Sequence, residues 1–217
     1  MKYRFFVICL IILLTALSSS NSHAWLLYHK PAFKGKVIDA ETKAPIEGAV
    51  VVVVYTKVVA GLGPGWSSFP FDVRETFTSR DGMFTVPSYT TITHPFSFNS
   101  FAEIIIFKPG YGSFPWYPKL PYGINKEDTE LFFSEGFGKE REIKLIVGVD
   151  KGPIWKDCRV RFGVVELPKL TTREERKKAF DLVMIPGPEI PSRKISNFLK
   201  LYNEENAFFG FSPIRLP

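Results

Sequence analysis

Between Ala49 and Lys57 the chain reads Ala-Val-Val-Val-Val-Val-Tyr-Thr-Lys. β-Branched side chains are stiff in a helix and pack well on a pleated surface, so this run favours a strand. A strand with one wet face alternates apolar and polar residues, and this one does not. It predicts a strand buried on both faces. Such a strand needs a substantial core around it. A chain of 217 residues with 45% hydrophobic and 23% charged residues can supply one, which excludes a wholly disordered polypeptide.

Further strands follow from local pattern. Lys34–Ala40 alternates up to Asp39, and Val73–Ser79 sets Val73, Glu75, Phe77 and Ser79 against Arg74, Thr76 and Thr78. Arg80-Asp81-Gly82 then predicts a hairpin turn, with Met83–Val86 as the returning strand. Phe101–Lys108 stops at Pro109-Gly110, and Glu142–Val147 is a further strand. About five to seven strands without intervening helices predict an all-β sandwich. Two aromatic-rich loops interrupt it: Ala60–Asp72 with Trp66, Phe69 and Phe71, and Pro109–Gly138 with Trp116, Tyr117, Tyr122 and several further rings.

The two ends differ from this middle. Lys2 and Arg4 precede an apolar run from Phe5 to Leu17, followed by small and polar residues to Ala24. A basic end, a short greasy stretch and small residues at Ser22 and Ala24 predict a secretory signal peptide over residues 1–24, cleaved after Ala24. The apolar run is 13 residues long, short of the roughly 20 that a spanning helix needs. No later stretch is apolar enough to span, so no transmembrane segment is expected in the mature chain. Cleavage removes Lys2 and Arg4 and takes the formal net charge from +6 to +4. Export, to a periplasm or out of the cell, argues against a nucleic-acid partner. It leaves Cys158 as the remaining cysteine, either buried as a small hydrophobe or open to intermolecular pairing.

From residue 148 to 217 the expectation is a partly helical extension. Cys158–Leu167 reads as one more strand. Thr171 or Thr172 with Glu174-Glu175 offers a capping box to a helix that places Ala179, Leu182 and Val183 on one face, ended by Pro186-Gly187-Pro188. Ser192 is the expected cap of a second helix in which Ile195, Phe198, Leu199 and Tyr202 recur at helical spacing.

One set of residues forms a familiar series: Gly35-x-Val37-x-Asp39-Ala40-x-Thr42-Lys43-Ala44-Pro45-Ile46-x-Gly48-Ala49-x-Val51, then Thr78-Ser79-Arg80-Asp81-Gly82-x-Phe84, then Ile104-Ile105-Ile106-Phe107-Lys108-Pro109-Gly110-Tyr111, and finally Ile143-x-Leu145. In order and spacing it resembles the carboxypeptidase regulatory-like domain family over residues 33–147. The resemblance implies a mainly β fold, a transthyretin-like (prealbumin-like) antiparallel β-sandwich. The Ala60–Asp72 insertion and the long gap between Tyr111 and Ile143 depart from the family pattern. The series also has a local reading. Pro45 fixes φ in a turn, Gly48 takes a conformation that strains larger residues, and Asp39 and Thr42 bond turn amides.

The resemblance is to an accessory domain, not to a peptidase. Zinc catalysis needs histidine and carboxylate ligands converging on one ion. His29 and His94 begin neither H-x-x-E nor H-E-x-x-H. There is no G-x-S-x-G elbow, and Gly61-Leu62-Gly63-Pro64-Gly65 lacks the lysine of a phosphate loop. The C-terminus lacks the Tyr-Arg-Gly-Ser of the transthyretin-like purine hydrolases. No catalytic residue, cofactor or metal ligand is assigned. Asp39, Asp72 and Asp81 are read as independent turn aspartates in preference to a calcium site.

Two functions fit these residues. One is a non-catalytic exported module that contacts a protein or the cell envelope, with Phe208-Phe209-Gly210-Phe211 and the basic residues of the first C-terminal helix as its docking candidates. The other is carbohydrate binding, with Trp66, Trp116, Tyr117 and Tyr122 as stacking rings.

Overall fold

The computed structural model describes residues 27–60, 66–92, 97–116, 126–134, 136–147, 154–187 and 189–215; for residues 60, 66, 98–100, 126–128, 141–147 and 154–160 it describes the backbone alone. The expected signal peptide, His94, Tyr117 and Tyr122 lie outside these residues, as does the Cys158 side chain. Among the described residues no helix is long and apolar enough to cross a membrane.

The protein is mainly β. Its strands are β1 (Leu27–Lys30), β2 (Phe33–Asp39), β3 (Val50–Ala60), β4 (Trp66–Phe77), β5 (Met83–Val86), β6 (Tyr89–Ile92), β7 (Ser97–Phe107), β8 (Glu140–Val147), β9 (Ile154–Arg161) and β10 (Val164–Leu167). Among the described residues three α-helices accompany them: α1 (Lys126–Ser134), α2 (Arg173–Phe180) and α3 (Ser196–Phe209). Among the described residues the strands form two three-stranded sheets, ordered β10-β2-β5 and β4-β3-β7, and two two-stranded ribbons, β1-β6 and β8-β9.

The valine run sits where its composition requires. Val51, Val53 and Tyr55 face a core shared with Phe33 and Val37 of β2, Phe84 and Val86 of β5, and Val165 and Leu167 of β10. Val50, Val52 and Val54 face the opposite way, toward a second core closed by Phe180, Ile190, Ile195, Phe198, Leu199 and Phe209. Each face of β3 thus has its own cover, a second sheet on one side and the C-terminal helices on the other.

Several sequence expectations are corrected. The Ala60–Asp72 loop is largely strand, because Trp66–Asp72 extends β4 along Tyr55–Ala60 of β3 after a register shift at Tyr55/Thr56. Pro70 is tolerated there because β4 is the terminal strand of its sheet, where a missing N–H breaks no ladder. The loop over residues 109–138 contains α1, whose Phe132 and Phe133 enter the first core. Cys158–Leu167 is two strands, broken at Phe162-Gly163, where Gly163 has a φ of 75°.

The turn at Ser79–Met83 forms, with the Ser79 amide bonded to the Met83 carbonyl at 2.8 Å, but β4 and β5 are not a hairpin. They separate into different sheets, and β5 pairs antiparallel with β2. Gly82 has a φ of 72°, and a Cβ placed on it would stand 2.3 Å from the Val37 carbonyl oxygen. The turn is therefore pressed against β2 and works as a crossover between layers. The pairing is not purely antiparallel as expected, because Val164–Leu167 of β10 forms a parallel ladder with Lys36–Asp39 of β2. A parallel partner needs a long crossover, and the excursion through β3 to β9 provides it.

The C-terminal helices form, with altered ends. Thr172 is the cap of α2: its Oγ1 accepts the Glu175 amide and Glu175 Oε2 accepts the Thr172 amide, both at 3.2 Å. The helix ends at Phe180, so Phe180 is buried and Leu182 falls outside the apolar face. Ser192 starts a short 3-10 turn and does not cap α3, whose N-cap Ile195 offers no side-chain acceptor. Gly210 closes α3 in the left-handed conformation, with Phe211 N–H bonded to Asn206 O at 2.8 Å and Gly210 N–H to Ala207 O at 3.0 Å.

Candidate functional site

The four rings singled out from the sequence have separate settings. The Phe114 amide and carbonyl bond Ile106 at 3.0 and 3.1 Å, which carries the following residues along β7. Trp116 is consequently half-buried, packed against the second core. It lines an apolar pocket of about 140 Å³ with Glu103, Ile105, Pro115, Thr129 and Met184. Trp66 opens β4 opposite Ala60, and its side chain lies outside the described residues, as do Tyr117 and Tyr122. Among the described residues the structure does not bring these rings together.

The C-terminal aromatic run is better defined. Phe209 is buried in the second core, whereas Phe208 and Phe211 are 43% and 46% exposed. Cations of α2 lie over these rings. The Arg176 guanidinium is 3.5 Å from the Phe208 centroid, Arg173 is 5.5 Å from it, and Lys177 Nζ is 5.4 Å from the Phe211 centroid. Arg173 also donates to the Phe208 and Phe209 carbonyls at 3.2 and 3.1 Å, neutralising the negative end of α3. Arg176 is anchored from below by a bidentate pair with buried Glu205, at 2.9 and 2.6 Å. The result is a surface of apolar rings in a cationic frame, held in place by ion pairs and helix ends.

A second site lies at the outer edge of β4. A groove of about 490 Å³ is lined by Asp72, Arg74, Glu75, Thr76, Pro87 and Lys194, among others. Burial pushes the Asp72 carboxyl up. Hydrogen bonds from Lys194 Nζ, the Tyr89 hydroxyl and the Val73 amide outweigh it and hold the group below the usual carboxylate range. Arg74 lies 4.7 Å over the Tyr89 ring. Tyr89 stacks on Tyr55 at 4.4 Å, and Tyr28 meets Phe71 edge-on at 4.8 Å. Desolvation pushes the Tyr55 and Tyr89 phenols up to about 12, and Tyr28 higher still. The Tyr28 and Tyr55 hydroxyls are buried with no hydrogen-bond partner among the described residues. Beside them Lys30 Nζ donates to Glu130 Oε1 at 2.6 Å, and the same oxygen accepts the Ala102 amide, tying β1, α1 and β7 together.

Sequence reasoning missed this tyrosine cluster. Tyr55 falls in the alternation of the valine run, but Tyr28 and Tyr89 belong to a ribbon with no pattern of its own. The three aspartates of the calcium reading have separate tasks. Asp39 Oδ1 accepts the Glu41 and Thr42 amides at 2.9 and 2.8 Å, and the Thr42 amide is the main cause holding its carboxyl low. Asp72 binds Lys194, and Asp81 sits in the exposed turn between β4 and β5. Among the described residues no group of three or more histidines, cysteines or carboxylates is placed to hold a metal ion.

Comparison with family models, with curated proteins and with solved structures finds no match to this chain.

Proposed function

We propose that this chain is an exported, non-catalytic module with a transthyretin-like sandwich of the carboxypeptidase regulatory-like kind, and that it serves as a binding or structural accessory by docking a protein or a component of the cell envelope. The observation that carries the reading is the Phe208–Phe211 surface. Two large rings stand more than two-fifths exposed while three cations are held against them. Exposed aromatic surface framed by ordered charge is costly to leave in water and is characteristic of contact sites, where arginine and aromatic residues concentrate. Carbohydrate binding is the lesser reading, because half-buried Trp116 offers only part of its ring for stacking.

Cross-linking in the intact envelope tests this, with a Phe208→Ser/Phe211→Ser variant beside the unaltered chain. A cross-linked species lost in a variant that still folds is the expected result. The same species at the same yield in both overturns this surface as the docking site. Mass spectrometry of the processed N-terminus tests export independently: a chain beginning at Trp25 is expected, and one retaining residues 1–24 overturns cleavage.

A further inference from the structure

The groove beside β4 runs along a strand edge whose unpaired groups can be identified from register. The Thr78 amide bonds the Ala49 carbonyl at 2.9 Å, continuing the antiparallel β3–β4 ladder in which Val51 faces Thr76 and Val53 faces Arg74. Antiparallel ladders alternate bonded and non-bonded pairs. Thr76 and Arg74 therefore direct their backbone groups at β3, while Val73, Glu75 and Phe77 direct theirs outward. The Val73 amide agrees with this phase, since it donates to the Asp72 carboxylate at 2.9 Å instead of to β3. The far side of β3 is occupied by β7, so among the described residues β4 ends its sheet.

A twelve-residue terminal strand is a template for another strand unless charge, proline or a bulge blunts it. Pro70 and the register shift blunt the first half of β4. In the second half the charged residues are turned to internal tasks: Asp72 holds Lys194 and Tyr89, Glu75 accepts amides of α3, and Arg74 covers Tyr89. The groove leaves this half open, and Phe77 is 41% exposed at its end.

We infer that β4 pairs antiparallel with β4 of a second copy of this chain, about a two-fold axis at Thr76. The edge is complementary to itself: its outward-directed residues Glu75 and Phe77 flank Thr76, so an identical edge turned about Thr76 sets each opposite the other, and register then selects this axis. With the axis at Thr76, Glu75 and the partner's Phe77 exchange two hydrogen bonds, and symmetry supplies two more. Val73, whose N–H is already taken, is not called on. An axis at Glu75 sets that carboxylate opposite itself, and an axis at Arg74 does the same for the guanidinium; both also require the Val73 amide. An axis at Phe77 keeps only two bonds. At Thr76 the axis instead places threonine opposite threonine and the two Phe77 rings on a diagonal within reach of each other, both favourable cross-strand arrangements. The contact is isologous, so it closes at two copies.

Sedimentation of the full chain and directed cross-linking test the inference. A concentration-dependent monomer–dimer equilibrium is expected. Phe77→Glu, which sets a second carboxylate directly opposite the partner's Glu75 on each side of the axis, raises the dissociation constant about tenfold. In a background with Cys9 and Cys158 replaced by serine, Thr76→Cys forms an intermolecular disulfide under mild oxidation, because a non-bonded antiparallel pair brings the Cα atoms to about 4.5 Å. Arg74→Cys, displaced from the axis, does not. Concentration-dependent exchange protection of the Glu75 and Phe77 amides gives the same readout without substitution. A chain that stays monomeric at its highest attainable concentration, or one that cross-links through residue 74 and not 76, overturns the inference. The Phe208–Phe211 reading stands or falls separately, because its variant leaves β4 intact.

Discussion

Glu75 of β4 caps α3: its Oε1 accepts the Asn197 amide at 2.9 Å and its Oε2 accepts the Phe198 amide at 3.0 Å. Those amides begin a helix whose own N-cap, Ile195, has no acceptor to give them. The carboxylate also faces the positive end of the helix dipole, and one side chain thereby fixes where the C-terminal helix lands on the sheet. Glu75→Ala is expected to destabilise the protein by about 0.5–2 kcal/mol, the range of a lost cap. Glu75→Gln, which keeps one acceptor oxygen and loses the charge, should cost less. Urea unfolding of both variants checks the order.

Asp72 gives the fold a sensitivity to acid. Its carboxyl titrates lower in the folded protein than in the unfolded chain, because Lys194, Tyr89 and the Val73 amide favour the charged form. A depressed carboxyl contributes stability that is present above the unfolded value near 3.9 and lost as pH falls through the folded one. Asp72→Asn is therefore expected to lower stability at neutral pH and to flatten the loss of stability below about pH 4. Melting temperatures of both proteins from pH 7 to pH 2.5 provide the check.

Tyr28, Tyr55 and Tyr89 act at the other end of the scale. Burial raises all three phenols, to about 12 for Tyr55 and Tyr89. A group whose folded value is raised contributes stability below its unfolded value, near 10, and loses it as pH rises toward the folded value. The phenolate absorbance of these three rings should accordingly appear late in an alkaline titration, together with unfolding. Tyr55→Phe, which removes a buried hydroxyl with no hydrogen-bond partner among the described residues, should be neutral or slightly stabilising and should shift the alkaline midpoint upward.

Two glycines with similar dihedrals separate strain from crowding. Gly82 and Gly138 have φ values of 72° and 80°, yet a Cβ on Gly82 meets the Val37 carbonyl at 2.3 Å and one on Gly138 meets nothing within 4 Å. Gly138→Ala should cost about 1–2 kcal/mol, the left-handed penalty alone. Gly82→Ala adds displacement of β2 and should cost roughly 1–3 kcal/mol more. Chemical denaturation of the pair measures the difference.

What the sequence disclosed follows from which forces act locally. The doubly buried valine run, the Thr172 capping box and the Asp39 turn depend on neighbours within a few residues, and pattern reveals them. The cap on α3 was illegible because its acceptor, Glu75, lies on a strand far upstream in the chain, while Ser192 offered a plausible local substitute. Asp81-Gly82 showed a turn correctly but not its partners, since a turn sequence fixes chain reversal and leaves open which sheet each strand joins. The candidate sites divide the same way. Phe208 and Phe211 were visible as a run, whereas the cations laid over them come from a different helix. The outward phase of β4 follows only from the ladder with β3.

The parallel ladder between β10 and β2 has a bearing on how the molecule must assemble. One of the earliest strands of the chain receives its second neighbour when residues 164–167 arrive, and the outer valines of β3 receive their cover chiefly from residues 180–209. Because so many stabilising contacts join distant parts of the chain, loop-closure entropy is spent before they form, and folding is expected to be slow. A chain ending at residue 147 would retain the residues that resemble a known domain, yet carry a bare apolar sheet face and an open β2 edge. Such a fragment should aggregate where the whole chain does not.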